Sequence, residues 1–305
     1  MGAADCATRL NRAGPINDLL TSSLPARFIV PHFAQARMPA PVDTKPQWSH
    51  PLHVVPVPAL ADNYIWLLYD DAGDAIVVDP GEAAPIEAAL DRRGLRLRAI
   101  LLTHHHNDHI GGVADLLARG PVPVYAPRDE RIGHVTQVVA DGDEVTIAQP
   151  SARFRVLEIP GHTRSHIAYV GAGMLLCGDT LFSMGCGRLF EGTPQQMLAS
   201  LDRLADLPGE LKVCCAHEYT AANGRFAQTV EPANAALAQR VEQVRALREQ
   251  AQPTLPVALA TERATNPFLR VDNHDVAQWC TRHGAAADRV SRFAALRAAK
   301  DEFRA

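Results

Sequence analysis

The run His104-His105-His106-Asn107-Asp108-His109 sets four imidazoles and a carboxylate in six residues, the donor types that hold first-row divalent cations. It follows directly on residues 98–103, an apolar stretch that reads as a buried strand. In extended chain, residues i and i+2 point to one side, so His104 and His106 can share one ion. A turn before Gly111 then re-aims Asp108 and His109 toward a neighbouring ion. Chance is a poor rival: three His and one Asp at set positions arise in roughly one in a thousand chains with this length and histidine content. His105 and Asn107 alternate with these donors and should face away, into packing or hydrogen bonds behind them.

One cluster does not close a two-ion site, and three further signals each follow a predicted strand: Pro160-Gly161-His162-Thr163, Cys177-Gly178-Asp179-Thr180 and Ala216-His217-Glu218-Tyr219. Singly each is weak. Together they supply what is missing: His162 completes three imidazoles with His104 and His106, His217 joins Asp108 and His109, and the Asp179 carboxylate bridges the two ions. Zinc is the expected metal, with iron and manganese accepted by the same donors. Two such ions about 3.5–4 Å apart can hold a hydroxide between them at neutral pH, which attacks a carbonyl or phosphoryl centre. Asp108 and Asp179 are therefore expected to be catalytic as well as metal-binding. No GxSxG motif is present to suggest a serine nucleophile. Asp79, at the end of its own strand, has two readings, an acceptor behind a ligand imidazole or a turn-former.

Short β-branched runs bounded by Gly, Pro and Asp must position these residues. They lie at 53–57, 64–69, 75–79, 98–103, 122–126, 154–159, 167–170, 174–177 and 213–216. Helical patterns fall at 85–93, 113–118 and 194–204, a mixed α/β order that suits sheets covered by helices. After Tyr219 the strands are expected to stop. Leu237, Val241, Val244 and Leu247 recur at helical spacing and residues 291–303 also read as helix, so residues 221–305 are expected to form a small α-helical domain after a catalytic domain at 51–220. Residues 1–50 are rich in proline and weak in periodicity, and read as a poorly ordered extension. A targeting segment or a start at Met38 are the other readings of that stretch.

Composition narrows the partners. A net charge of −4 and no basic run longer than Arg92-Arg93 argue against nucleic acid. Apolar runs of only a few residues argue against a membrane span, which needs about 20. Six cysteines without a CxxC pair suggest neither a zinc finger nor a disulfide framework and fit the reducing cytoplasm.

The order THxHxDH, GHT, GDT and a further strand-end His resembles the metallo-β-lactamase superfamily. Asp62-Asn63-Tyr64, Val78-Asp79-Pro80-Gly81, Gly178-Asp179-Thr180-Leu181-Phe182, the segment GCGRLFEGT from Gly185 to Thr193, and Cys215-Ala216-His217-Glu218-Tyr219-Thr220 resemble glyoxalase II, the hydroxyacylglutathione hydrolases. The likeness covers about residues 53–305. It implies an αββα sandwich followed by the helical domain, which then serves as the substrate-binding domain, and hydrolysis of S-lactoylglutathione to lactate and glutathione in methylglyoxal detoxification; a monomer is expected. It also implies that Arg188, Tyr219, Arg297 and Lys300 contact glutathione, while Phe190, lacking a hydroxyl, is assigned no polar contact. Read without the resemblance, Arg297 and Lys300 are cations in the last turn of a helix, favourable with its dipole.

Overall fold

The computed structural model describes residues 52–304; the 1–50 extension lies outside them. Strands β1 (His53–Ala59), β2 (Asn63–Tyr69), β3 (Asp74–Val78), β4 (Arg96–Leu101), β5 (Val124–Pro127) and β6 (Gln137–Val139) form one sheet in sequential order. Then come β7 (Glu144–Ile147), β8 (Ala152–Glu158), β9 (Ile167–Gly171) and β10 (Met174–Gly178), a two-stranded hairpin of β11 (Leu181–Phe182) and β12 (Gly185–Cys186), β13 (Lys212–Cys215) and β14 (Val257–Ala258). The second sheet has the order β14-β13-β10-β9-β8-β7.

Alternation along the central strands produces the layering. In β2, Trp66 and Leu68 join the core between the sheets, whereas Ile65 and Leu67 join a second core on the outer face. Ile76 and Val78 against Ala75 and Val77 repeat the pattern in β3. Both faces of these strands are buried, so they read as continuous apolar runs, and side chains of period two feed two cores at once. The outer core is closed by α1 (Ala84–Arg93), which contributes Ile86, Ala89 and Leu90, and, after the four-residue α2 (Asn107–Ile110), by α3 (Val113–Ala118) with Val113 and Leu116. Helix α4 (Pro194–Ala205) lays Met197, Leu198, Leu201 and Leu204 on the second sheet. It opens with a capping box, the Thr193 side chain accepting from the Gln196 amide while Gln196 accepts from the Thr193 amide. This is the αββα arrangement.

The C-terminal part contains α5 (Thr220–Val230), α6 (Ala235–Glu249), α7 (Leu259–Thr265), α8 (His274–Arg282) and α9 (Arg289–Glu302). It is not purely helical: β14 adds an antiparallel edge beside β13, with Val213 paired to Val257, which corrects the expectation that strands stop after Tyr219. Two residues are too short to show a period. Phe226, Phe268, Phe293 and Leu296 join the same continuous apolar cluster as the buried face of α4.

A buried carboxylate ties this part to the hairpin. Glu262, fully buried on α7, accepts from Ser183 Oγ and from Met184 N, each at 2.7 Å, and from Asn266 Nδ2 at 3.2 Å. Asn266 Nδ2 also donates to the carbonyls of Phe182 and Gly185. Replacing Glu262 with Ala strands a buried hydroxyl and a buried amide, which costs about 1–3 kcal/mol for each group left unpaired. Glu262→Ala protein is expected to melt several degrees lower; an unchanged melting temperature would show that the clamp contributes nothing.

Candidate metal centre

The donors converge because strand ends of both sheets meet at one edge. After β4 the chain stays extended through His106 (φ −63°, ψ 143°) and then enters α2, so His104 and His106 point together while Asp108 and His109 turn aside. Gly81 lets the Asp79 loop lie against this turn: a Cβ there would sit 2.0 Å from the Asp108 carbonyl oxygen. His162 follows β8, Asp179 follows β10 and His217 follows β13.

Seven side chains expected from the sequence are brought together in three overlapping groups: His104, His106 and His162; His104, His109 and Asp179; and Asp108, His109 and His217. Within the first, His106 Nδ1 lies 3.1 Å from His104 Nε2 and 3.0 Å from His162 Nε2. Asp179 reaches the other groups, with Oδ1 3.4 Å from His109 Nε2, and Oδ2 3.4 Å from His162 Nε2 and 3.3 Å from His217 Nε2. Asp108 Oδ2 lies 3.4 Å from both His109 Nε2 and His217 Nε2.

Outer partners fix the rings. Asp79 uses Oδ1 to accept from Thr103 N and Oδ2 to accept from Thr103 Oγ1, and the same Oδ2 lies 3.1 Å from His109 Nδ1. Asp79 thus stands behind an imidazole, on a backbone with φ at +51°. His162 Nδ1 donates to the Arg188 carbonyl at 2.9 Å, and His217 Nδ1 lies 2.7 Å from Asp62 Oδ1. Protons on these outer nitrogens leave the inner nitrogens with free lone pairs. His105 turns away, toward Asp129 (3.5 Å) and Glu191 (3.7 Å), and Asn107 is exposed.

The donor set fits divalent cations. His109 Nε2 and Asp179 Oδ1 are buried with no hydrogen-bond partner, a costly arrangement that a cation relieves. Burial, then neighbouring imidazoles, hold His104 well below the ordinary histidine range and push His106 down to about 4. Burial opposes charge on Asp179, but His109 and His217 outweigh it and keep the carboxyl well below its usual range. For His217 the order is the same with opposite sign: burial lowers it, and Asp179 followed by Asp108 raises it to about 10. The carboxylates demand positive charge beside them, and a metal ion supplies it without a proton on either inner nitrogen.

One wall of the centre opens into a cleft of about 390 Å³ that His162 and Asp179 share with Arg188, Tyr219, Arg297 and Lys300. Tyr219 stacks on the His217 ring at 4.7 Å and 7°. Arg297 is buried and crosses from α9 to β12, Nη1 donating to the Cys186 carbonyl at 2.7 Å and Nη2 to Asp301 Oδ1 at 3.0 Å. Asp301 Oδ1 also lies 3.3 Å from Arg188 Nε. Phe190, 63% exposed, sets its ring edge-on to His106 and His162.

Comparison with known proteins places this geometry. Residues 61–217 match the family model for the metallo-beta-lactamase superfamily, and residues 218–303 match that for the hydroxyacylglutathione hydrolase C-terminus. A hydroxyacylglutathione hydrolase from Cupriavidus metallidurans is 56% identical over 266 residues, 83% of this chain and 100% of that one. One from Xanthomonas campestris pv. campestris is 52% identical over 257 residues, again 83% of this chain and all of the other. The chain belongs to the hydroxyacylglutathione hydrolase family of the metallo-beta-lactamase superfamily. The two family regions meet between His217 and Glu218, so every donor lies in the first, and Tyr219, Arg297 and Lys300 in the second.

Among solved structures, ETHE1 from Myxococcus xanthus is similar to this hydroxyacylglutathione hydrolase family member at 28% identity and a TM-score of 0.50, over 70% of this chain and 98% of its own. TTHA1623, solved in a di-iron-bound form, is 26% identical with a TM-score of 0.51, over 71% of this chain and all of its own.

Several residues behind the donors carried no signal of their own in the sequence. Asn63 Nδ2 donates to Asp108 Oδ2 at 3.0 Å, and Asp62 backs His217 from 155 positions away. His166 stands four residues after His162, buried in the centre. Asp62 and Asn63 lie in a stretch that the family resemblance picks out, but nothing local assigns them a partner.

Proposed function

We propose that this chain is a thioester hydrolase that cleaves S-lactoylglutathione to lactate and glutathione in methylglyoxal detoxification, with two divalent ions at the donor cluster. The observation that carries the reading is the shared cleft, which His162 and Asp179 line together with Arg188, Arg297 and Lys300. His104, His106 and His162 would hold one ion, Asp108, His109 and His217 the other, and Asp179 both. Zinc suits this histidine-rich set, with iron or manganese the alternatives. When bound, the ions lower the pKa of water to about 7 and polarise a carbonyl oxygen.

The protein's own side chains do the rest. Arg188, Arg297 and Lys300 present positive charge to a substrate that carries two carboxylates, and Tyr219 adds a hydroxyl beside the His217 ring. Asp301 orients two of these cations before substrate arrives. The leaving thiolate has a conjugate acid of pKa about 8.5, so it departs without a general acid. Asp79, Asp62 and the Arg188 carbonyl hold His109, His217 and His162 in the tautomers that face inward. We read the enzyme as a cytoplasmic monomer, a placement supported by its cysteine usage.

Release of free thiol from S-lactoylglutathione and from a coenzyme A thioester of the same acyl group tests the substrate class. The glutathione thioester is expected to give the larger kcat/KM by about 100-fold or more, since two carboxylate contacts of about 1.5 kcal/mol each are at stake. Equal values for the two thioesters would remove the glutathione assignment.

A further inference from the structure

We propose that His166 is a positioning residue for the donor cluster, holding Asp179 by its backbone amide and His104 by its ring, so that metal retention depends on it. The inference rests on reading the cluster as a metal centre. His166 is fully buried just before β9. Its Nδ1 lies 3.1 Å from the Ile167 carbonyl oxygen, which can only accept, so the ring proton sits on Nδ1. That leaves the Nε2 lone pair inward, and it accepts the Asp179 N–H at 3.1 Å. The committed lone pair keeps His166 from being a ligand itself. It serves as an acceptor for the amide of the residue whose carboxylate touches three of the donor imidazoles.

The same ring stacks on His104 at 4.5 Å and 19°. His104 belongs to two of the three donor groups and Asp179 to one of them, so a single imidazole fixes both. The backbone is shaped to admit it. Gly178 has φ at +47°, and a Cβ there would sit 2.9 Å from His166 Cε1 and Nε2 and 2.3 Å from Thr103 Oγ1. With a side chain at 178, His166 could not reach the Asp179 amide. Partners behind metal ligands typically contribute 10- to 100-fold in metal affinity.

Three substitutions separate the roles. His166→Phe keeps a ring to stack on His104 and removes the acceptor. His166→Gln carries an oxygen to about the place of Nε2, and His166→Asn carries one only as far as Nδ1, short of the amide. Each purified protein is loaded with zinc, dialysed against a competing chelator and analysed for metal per chain, and the melting temperature of the chelator-stripped protein is taken beside it. The Phe and Asn variants are expected to lose about 10- to 100-fold in metal affinity, with Gln recovering a substantial part. If the Phe variant does not fold, the Gln and Asn pair decides alone. A purely structural role would lower the stripped protein's melting temperature in every variant and leave metal affinity at the wild-type value in the folded protein, overturning the proposal. Equal loss in Gln and Asn would overturn it too. Wild-type protein that retains no metal would overturn the metal-centre reading itself, a result separate from either of these.

Discussion

Asp179→Ala protein is expected to lose both metal ions together and to fall by about 10³-fold or more in kcat/KM on the glutathione thioester. The expectation follows from placement. Asp179 oxygens lie within 3.4 Å of inner nitrogens on His109, His162 and His217, which belong to different donor groups. Removing the carboxylate also removes the negative charge that holds His217 up at about 10, so the centre becomes a poorer cation site as a whole. His162→Ala deletes one imidazole from the group it shares with His104 and His106, and should weaken mainly one ion. Metal analysis of the two purified variants distinguishes them. An Asp179→Ala protein that still carries two ions per chain and turns over normally would show that the carboxylate does not bridge.

The second large effect concerns binding without chemistry. Arg297→Ala combined with Lys300→Ala is expected to raise KM roughly 10- to 100-fold while kcat holds, because contacts to the remote carboxylates of glutathione are equally strong in ground and transition states. Each charge-assisted contact is worth on the order of 1.5 kcal/mol, and the two are expected to add. Metal content should stay the same. Arg297 has a second duty, since its guanidinium satisfies the Cys186 carbonyl, so the double variant should also melt lower. Lys300→Ala alone separates the two: about a 10-fold rise in KM with little change in melting temperature. Were both cations merely complementing the dipole of α9, KM would not move, and stability would fall by only about 0.3–1 kcal/mol.

The convergence of His104, His106, Asp108 and His109 was legible in the sequence because it is set by local geometry. A strand has period two, so His104 and His106 had to share a side, and the glycines after Asp108 had to bring a turn. The layered core was legible for a related reason: strands buried on both faces are continuously apolar, as in residues 64–69 and 75–79. What escaped was set by contacts between distant residues. Asp62 meets His217 across 155 positions, and Glu262 meets Ser183 across 79. Strands of two residues, β11, β12 and β14, carry no period that any pattern could reveal. Arg297 illustrates the middle case. Its type and helix were readable and the resemblance supplied an expected role, but only the fold shows it buried and bonded to β12.

Metal-dependent thioester hydrolysis at one shared cleft is the central proposal. Its most direct test is to strip the purified protein with a chelator and titrate zinc back while following thiol release from S-lactoylglutathione. Hydrolysis should vanish on stripping, return with added metal, and saturate at two ions per chain. Turnover that survives complete stripping, or recovery that saturates at a single ion, would contradict it.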